Sequence, residues 1–488
     1  MAYEKITTSL VFEIRVGGNS LNGGAFASPL EAESSGTDRS QQDDPHVNTD
    51  DVSVSAATQT GTGAADRESV ILSGFTVSSA DVGNCVQISS TGDSGAWGGL
   101  FMIASVDTSA NSWRFTHDVR DSSLDTSSTN VELRMGGAWD SLGTWGLHRD
   151  SGAGADYWVD EAYCQTIWIK KGSSAYALTT TDVNSPGGPV SCGSGGANGF
   201  GVISGYGSTR GDSDQAEIGI GSTGYTGYLF ETSGSRRRET TIWRLKLDCG
   251  GTASGFYRSG GYGVTGSAFS CTVVDADDTS GVAYKNISAV NCLADGAYYG
   301  FENWQQVTNC VATDCSEGYH ELQDFPDSNI AYNCTIGFYD NTYNYGAGLK
   351  YCLADGCTTG CKTSAKTLIQ CVATNNGTGF DFFGAHRSDF LVAGYGYNNT
   401  TNYTSGADER GWFEFTQLTA DPWEDQSSAD FRLNDTAGGG AVLRDNGMTF
   451  PGQSAYRDTN AFVTEPSGGG GGTTVPQGLH SIESGINA

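Results

Sequence analysis

The stretch YCLADGCTTGCKTS at residues 351–364 places Cys352, Cys357 and Cys361 within ten residues, and the following segment, QCVATNNGTGFDFFG at 370–384, opens the same way. In both, a polar residue precedes Cys, a short apolar run follows, and a polar turn leads to a Gly ahead of Cys or Phe. Working outward, SCTVVDADDTSGVAYKN, NCLADGAYYGFEN, NCVATDCSEGYHEL and NCTIGFYDN share the pattern. Their lead cysteines, Cys271, Cys292, Cys310, Cys334, Cys352 and Cys371, are separated by 21, 18, 24, 18 and 19 residues. A second marker keeps step: Gly281-Val282, Gly300-Phe301, Gly318-Tyr319, Gly337-Phe338, Gly360-Cys361 and Gly379-Phe380. Apolar runs of this length, broken by Gly, Asn and Asp, are strand and turn signals with no helical period.

Two markers at one period of about 20 residues describe one coil of a parallel β-helix, in which equivalent residues stack on the coils above and below. The lead cysteines become an inward ladder of small side chains, and the residues after Gly become a second inward stack. Cys361 falls where neighbouring units have Phe338 and Phe380, so the three-cysteine stretch reads as one coil; Cys357, which repeats the offset of Cys315 from Cys310, has no evident slot. Strict hexapeptide repeats, the mark of the left-handed form, are absent. The expected fold is therefore all-β: a right-handed parallel β-helix with a small antiparallel β module inserted near the N-terminus and a C-terminal cap. Its expected parts are an entry strand with an acidic loop at 1–55, the β module at 56–136, the helix at 137–400 (about 13 coils, or roughly 60 Å), a cap at 401–466 and a linker with docking tail at 467–488.

Composition narrows the partners. A formal charge of -30 over 488 residues repels phosphate backbones and anionic headgroups, which argues against nucleic acid. No window approaches 18 apolar residues, which argues against membrane insertion. The acidic run DRSQQDDPHVNTDD at 38–51 reads as an exposed loop, and the opening MAYEKITTSLVFEIRV lacks a basic start followed by a long apolar core, so synthesis in the cytosol without a secretory signal is expected. Thirteen cysteines, an odd number in a long chain, fit reduced thiols. No cofactor or metal is expected: phosphate-loop and dinucleotide motifs are missing, the Cys pairs have no His nearby to complete a zinc set, and DADDTSG at 275–281 lacks the rest of a calcium loop.

The segment ADPWEDQSSADFRLNDTAGGGAVLRDNG at 420–447 resembles the closing element of right-handed parallel β-helix repeat proteins, with Asp421-Pro422-Trp423, then Asp430, Phe431 and Leu433, then Ala441, Val442 and Gly447. FEIRVGGNSLNGGAF at 12–26 and VISGYGSTRGD at 202–212 are similar to entry and early-coil segments of that group. The group includes polysaccharide lyases, hydrolases, adhesins and phage spikes, so the resemblance implies a fold more firmly than a function. Polysaccharide-cleaving members present carboxylates on an exposed face, and the richest candidates here are Glu317, His320, Glu321, Asp324 and Asp327. The hydrolase signatures of the group and the lyase R-x-P-x-x-R are absent, and a solvated turn is the plainer reading of these carboxylates. Tyr298, Tyr299, Trp304, Tyr343 and Tyr345, with Tyr395 and Tyr397, lie near turns where rings suit glycan contact. After the Gly run at 467–474, Val475, Leu479, Ile482 and Ile486 recur at the spacing of a docking helix or groove-bound segment.

These features together suggest a virion protein, a phage spike, fibre or appendage, made in the host cytoplasm. It is expected to dock other virion proteins through its tail, to form a homo-oligomer, and to contact cell-surface polysaccharide. A polysaccharide-degrading tailspike-like enzyme and a bacterial β-helix adhesin are the alternatives.

Overall fold

The computed structural model describes residues 10–446 with interruptions, the longer of them at 28–37, 59–64, 91–97, 117–126, 141–164, 179–200, 234–239, 260–265, 341–347, 384–389 and 406–411. Three parallel sheets wind into a β-helix. The first runs through Leu10–Ile14, Gln165–Lys170, Gly201–Tyr206, Thr240–Trp243, Gly266–Phe269, Ser288–Val290 and Val307–Thr308. Single bridges from Thr308 to Asp327 and from Asp327 to Lys350 carry it on to Gly348–Lys350, Thr367–Ile369, Phe390–Tyr397 and Trp412–Gln417. Twelve levels at a strand spacing of about 4.8 Å make a rod of about 53 Å. The second sheet runs from Tyr176–Ala177 through Ala216–Gly219, Leu245–Asp248, Thr272–Val274, Leu293–Asp295, Val311–Thr313, Ile330–Tyr332, Leu353–Asp355 and Val372–Thr374 to the second half of Phe390–Tyr397. The third has nine strands, from Tyr228–Ser233 to Thr401–Ser405. The rod thus starts at Leu10, well before residue 137, and runs past residue 400.

Each coil bends twice within five residues, at positions held in the left-handed region. Asn291 (φ 54°) and Gly296 (φ 67°), Asn309 (52°) and Asp314 (52°), and Tyr351 (54°) and Gly356 (65°) are such pairs. These are mostly residues that tolerate this conformation, Asn, Asp and Gly. The residue after each bend points inward and is small. Backbone bonds from Leu293 to Cys271, Val311 to Cys292, Ile330 to Cys310, Leu353 to Asn329 and Val372 to Cys352 define the lead column. Its members are Cys271, Cys292, Cys310, Asn329, Cys352 and Cys371, so Cys334 does not belong to it. Cys334 stands in the second column with Ala297, Cys315, Cys357 and Asn376, as shown by the bonds from Thr335 to Cys315, Thr358 to Cys334 and Gly377 to Cys357. This second column is also the slot of Cys357.

Alignment on cysteine misplaced one residue because Asn and Cys perform the same task here. Cys292 N donates to Cys310 Sγ (3.4 Å), and Cys310 N donates to Asn329 Oδ1 (2.9 Å). In return Cys310 Sγ reaches Thr308 O (3.3 Å) and Asn329 Nδ2 reaches Val307 O (2.9 Å). The ladder residue must pair backbone groups that the bend leaves over, so the column is polar at its edge as well as small.

The aromatic column is Phe230, Phe256, Tyr284, Phe301, Tyr319 and Phe338, with adjacent ring centroids 4.6–5.5 Å apart. Cys361 then interrupts it before Phe380, in register with both, as expected. In the first unit Ala283-Tyr284, not Gly281-Val282, fills the slot; Gly281 belongs to a turn whose amide donates to Asp277 O (2.8 Å). The glycines before the rings are sterically required: a Cβ on Gly337 would lie 2.5 Å from Gly360 O and 3.1 Å from the Cβ of Ala331. Glycine on the third sheet thus faces a column of alanines, Ala294, Ala312, Ala331, Ala354 and Ala373, on the second, and the coil is thin there.

The inserted module is a circuit of six antiparallel strands, each paired on both sides: Val47–Thr58, Ala65–Ser73, Ser112–Phe115, Gly98–Asp107, Cys85–Ser90 and Ser127–Met135. It begins at Val47, inside the acidic run that reads as a loop, because pairing on two sides outweighs acidic composition there. It sits between the first and second strands of the rod and closes the N-terminal end, with Cys85, Ala25 and Trp139 joining the rod core and Trp139 stacked on Phe12 at 5.1 Å.

The C-terminal element is a correction in place rather than in kind. The hairpin Trp423–Asp425 and Asp430–Leu433 and the helix Gly440–Asp445 lie along the side of the rod. Leu418, Trp423, Phe431 and Leu443 join Leu293, Val311, Ile330, Leu353, Val372 and Tyr395, the outward apolar column of the second sheet, in one core. Tyr395 is consequently buried and not a surface ring, and Tyr397 is partly buried against the same core.

Candidate functional site

The outward face of the third sheet carries the candidate chemistry. In strands such as Tyr299–Glu302 and Glu317–His320 the ring that follows Gly turns inward and the next residue turns out. Lys285, Glu302, His320, Tyr339, Lys362, Asp381 and Thr404 therefore stack in register on successive coils. His320 is the centre. Its Nδ1 lies 2.5 Å from Glu317 Oε2 and its Nε2 3.8 Å from Glu321 Oε1. The Tyr299 ring is 4.2 Å away on one side and the Tyr339 ring 5.4 Å away on the other. Tyr298 meets Tyr299 edge-on at 4.6 Å, and Tyr339 stacks on Phe383 at 5.9 Å. Lys362 sits over Phe383 (5.3 Å) and Tyr339 (5.9 Å), while Lys285 pairs with Glu302 at 2.9 Å. Burial, reinforced by Glu317, Tyr298 and Glu302, pushes the Tyr299 hydroxyl up to about 12, so it stays a neutral donor.

This arrangement has a definite chemical capacity. Glu317 fixes one imidazole nitrogen and leaves the other beside Glu321, the carboxylate–imidazole orientation that proton transfer uses. The rings mostly stack on one another along the rod, so they offer edges, hydroxyls and one ring-bound ammonium to solvent more than bare faces. Of the five predicted acid–base residues, Glu317, His320 and Glu321 converge. Asp327 does not: it bridges Thr308 and Lys350 in the first sheet and accepts from its neighbour Ser328. Of the predicted rings, Tyr298 and Tyr299 border the site. Asp324, Trp304, Tyr343, Tyr345 and the tail residues Val475, Leu479, Ile482 and Ile486 lie outside the described residues. Among the described residues no group of three or more His, Cys, Asp or Glu side chains is placed to hold a metal ion. At 275–281 Asp277 accepts from Thr279 and Ser280 within its own turn, chiefly from the Thr279 hydroxyl, which holds its carboxyl low.

A second cluster has no counterpart in the sequence reading. Arg210, fully buried, bonds Glu13 (2.6 Å) and Asp38 (3.0 Å), which are fully buried themselves, and Tyr206 donates to Glu13. Next to it Arg39 pairs with Asp81 (3.1 Å), which also accepts from Trp113 of the inserted module. Burial raises the Glu13 carboxyl against the pull of Arg210. Asp38 is thus the opposite of an exposed loop residue: it joins the entry strand, the loop after Gly201–Tyr206 and the start of the module. The signal was one charged residue inside LVFEI, an otherwise apolar strand. Cys249, Cys271, Cys292, Cys310, Cys315, Cys334, Cys352, Cys357, Cys361, Cys371 and Cys85 are all buried free thiols. No protein-family model and no curated protein matches the sequence.

Proposed function

We propose that this chain is a rod-shaped virion protein, a spike, fibre or appendage, that meets cell-surface polysaccharide along the outward face of its third sheet and joins the particle through its C-terminal tail. The observation that carries the reading is the row on that face: Tyr299, His320, Tyr339 and Phe383 in contact along the axis, flanked by Glu302, Glu317, Glu321 and Lys362. Hydroxyls, carboxylates and ring edges repeated at the coil spacing of a stiff body suit a polymer with many hydroxyl groups. Free thiols packed in the core agree with folding in a reducing compartment before release. The second reading, a polysaccharide-cleaving enzyme, is favoured by the Glu317–His320–Glu321 arrangement.

One paired experiment tests both. Purified full-length chain is titrated with polysaccharides from candidate hosts while reducing ends are counted, for wild type, Tyr299→Ala and Glu317→Gln. Binding without new reducing ends, weakened at least tenfold by Tyr299→Ala, supports the proposal. Cleavage abolished by Glu317→Gln replaces it with the enzymatic reading, and absence of both sinks the glycan assignment. Particle incorporation that survives deletion of residues 475–488 would refute the tail as the point of attachment.

A further inference from the structure

Beside the outward row of the third sheet a cavity enters the rod. It reaches the surface at Tyr339 and Asp340, both half-buried, and passes between Tyr319, Phe338 and Leu349 to Thr363. The coil is under-filled there: Cys361 and Thr363 stand where the next coil has the buried Phe380 and Phe382. Thr363 is 3% exposed, yet its Oγ1 has no hydrogen-bond partner among the described residues. The Tyr319 hydroxyl is already given to Cys310 O (2.7 Å). Asp340, in register with Thr363, is the one acid among the lining residues. The cavity thus combines apolar walls, one buried hydroxyl and a carboxylate.

We propose that this cavity receives an acetamido group carried by the bound polysaccharide, an assignment that rests on the glycan role of the adjacent face. The acetyl methyl lies against Tyr319, Phe338 and Leu349, the Thr363 hydroxyl donates to the acetyl carbonyl, and the amide N–H turns toward Asp340. Each part of the group meets the wall that suits it, and the buried hydroxyl gains the acceptor it lacks. Other small occupants match less of the lining. A buried water makes about three hydrogen bonds, and the inner wall offers it one hydroxyl. A plain sugar hydroxyl would pair with Thr363 and leave the apolar walls unfilled, and a free ammonium would give up its hydration against two rings and a leucine. The cavity therefore selects N-acetylated sugars over the same sugars with a hydroxyl or an amine in that place.

Titration of the full-length chain with hexamers of N-acetylglucosamine, glucosamine and glucose tests the assignment. The N-acetylated hexamer is expected to bind at least tenfold more tightly than either of the others. Thr363→Val, which keeps the size and removes the hydroxyl, should erase most of that preference, and Thr363→Ser should keep it. Equal binding of the three hexamers, or a preference that Thr363→Val leaves intact, overturns the proposal. A Thr363→Val chain that unfolds at lower urea than the wild type overturns it too, because the hydroxyl would then have a partner inside the rod. Binding of none of the hexamers also overturns it; host polysaccharide still bound, and still weakened by Tyr299→Ala, would in that case leave the outward face its glycan and remove only the role of the cavity.

Discussion

The two ends of the rod solve the same problem with different materials. At the N-terminal end an inserted six-strand module covers the first coil, and buried charges tie it down: Arg210 holds Glu13 and Asp38, and Arg39 beside them holds Asp81 of the module. At the C-terminal end the element that the sequence marks as a cap turns aside and covers a flank, where Leu418, Trp423, Phe431 and Leu443 seal an apolar column. Closing a solenoid and covering its sides are thus separate tasks, and apolar patterning alone identifies the second. Ionic fixation brings precise placement with a penalty for disruption, because each charge is dry and depends on its partner.

The largest expected effect breaks the N-terminal closure. Arg210→Ala leaves Glu13 and Asp38 buried without their counter-charge and should cost about 3–5 kcal/mol in urea unfolding, with module tryptophan Trp113 losing its native fluorescence before the rod melts. Asp355→Ala attacks the strap that the C-terminal hairpin Trp423–Asp425 and Asp430–Leu433 and the helix Gly440–Asp445 form along the side of the rod. Asp355 is fully buried and accepts from Thr374 (2.5 Å), Asn375 (2.9 Å) and, across to the strap, Gln426 (2.9 and 3.1 Å). Its loss should cost about 1–3 kcal/mol, read as faster exchange at Trp423–Asp425 with the N-terminal module unchanged.

The same residue gives a pH signature. Burial raises its carboxyl above the ordinary 3.8, against its hydrogen-bond donors, so the folded chain holds this proton more tightly than the unfolded one. The stability gap between wild type and Asp355→Ala should therefore widen as pH falls from neutral toward 3.8; a gap that narrows would show that the ionised form is the favoured one.

Between the ends, Cys361→Phe should stabilise the rod by about 0.5–2 kcal/mol. It restores a ring between Phe338 and Phe380 beside a small cavity lined by Tyr319, Phe338, Leu349 and Thr363. Cys310→Asn should be the mildest, under about 1 kcal/mol, because Asn already serves the next slot. Together these two show whether mid-rod columns tolerate exchange that the charged junction does not.

The body of the rod was readable because a repeat reports one environment many times. Five of six lead cysteines and the Gly-aromatic step from Gly300 onward stand where spacing puts them, and the Cys361 slot follows from them. The misplacement of Cys334 came from matching residue type, while the chain matches hydrogen-bonding capacity, which Asn329 shares. The ends were less legible because nothing there repeats. Glu13 meets Arg210 across 197 residues and Arg210 meets Asp38 across 172, and no local pattern announces such a contact. At the candidate site Glu317, His320 and Glu321, close in sequence, are also close in space, whereas Asp327 lies past a turn that moves it to another sheet.

From the lead column to the Gly slot the chain takes a constant eight residues in each coil from Cys292 onward: Cys292 to Gly300, Cys310 to Gly318, Asn329 to Gly337, Cys352 to Gly360 and Cys371 to Gly379. All variation in coil length, 18 to 23 residues between lead positions, therefore collects in the connection from the third sheet back to the first. The molecule is in effect ruled into a fixed margin and a free one. Insertions and deletions along the free margin leave both inward columns untouched, so one edge of the rod, next to His320, can be rewritten coil by coil while the rest keeps its register.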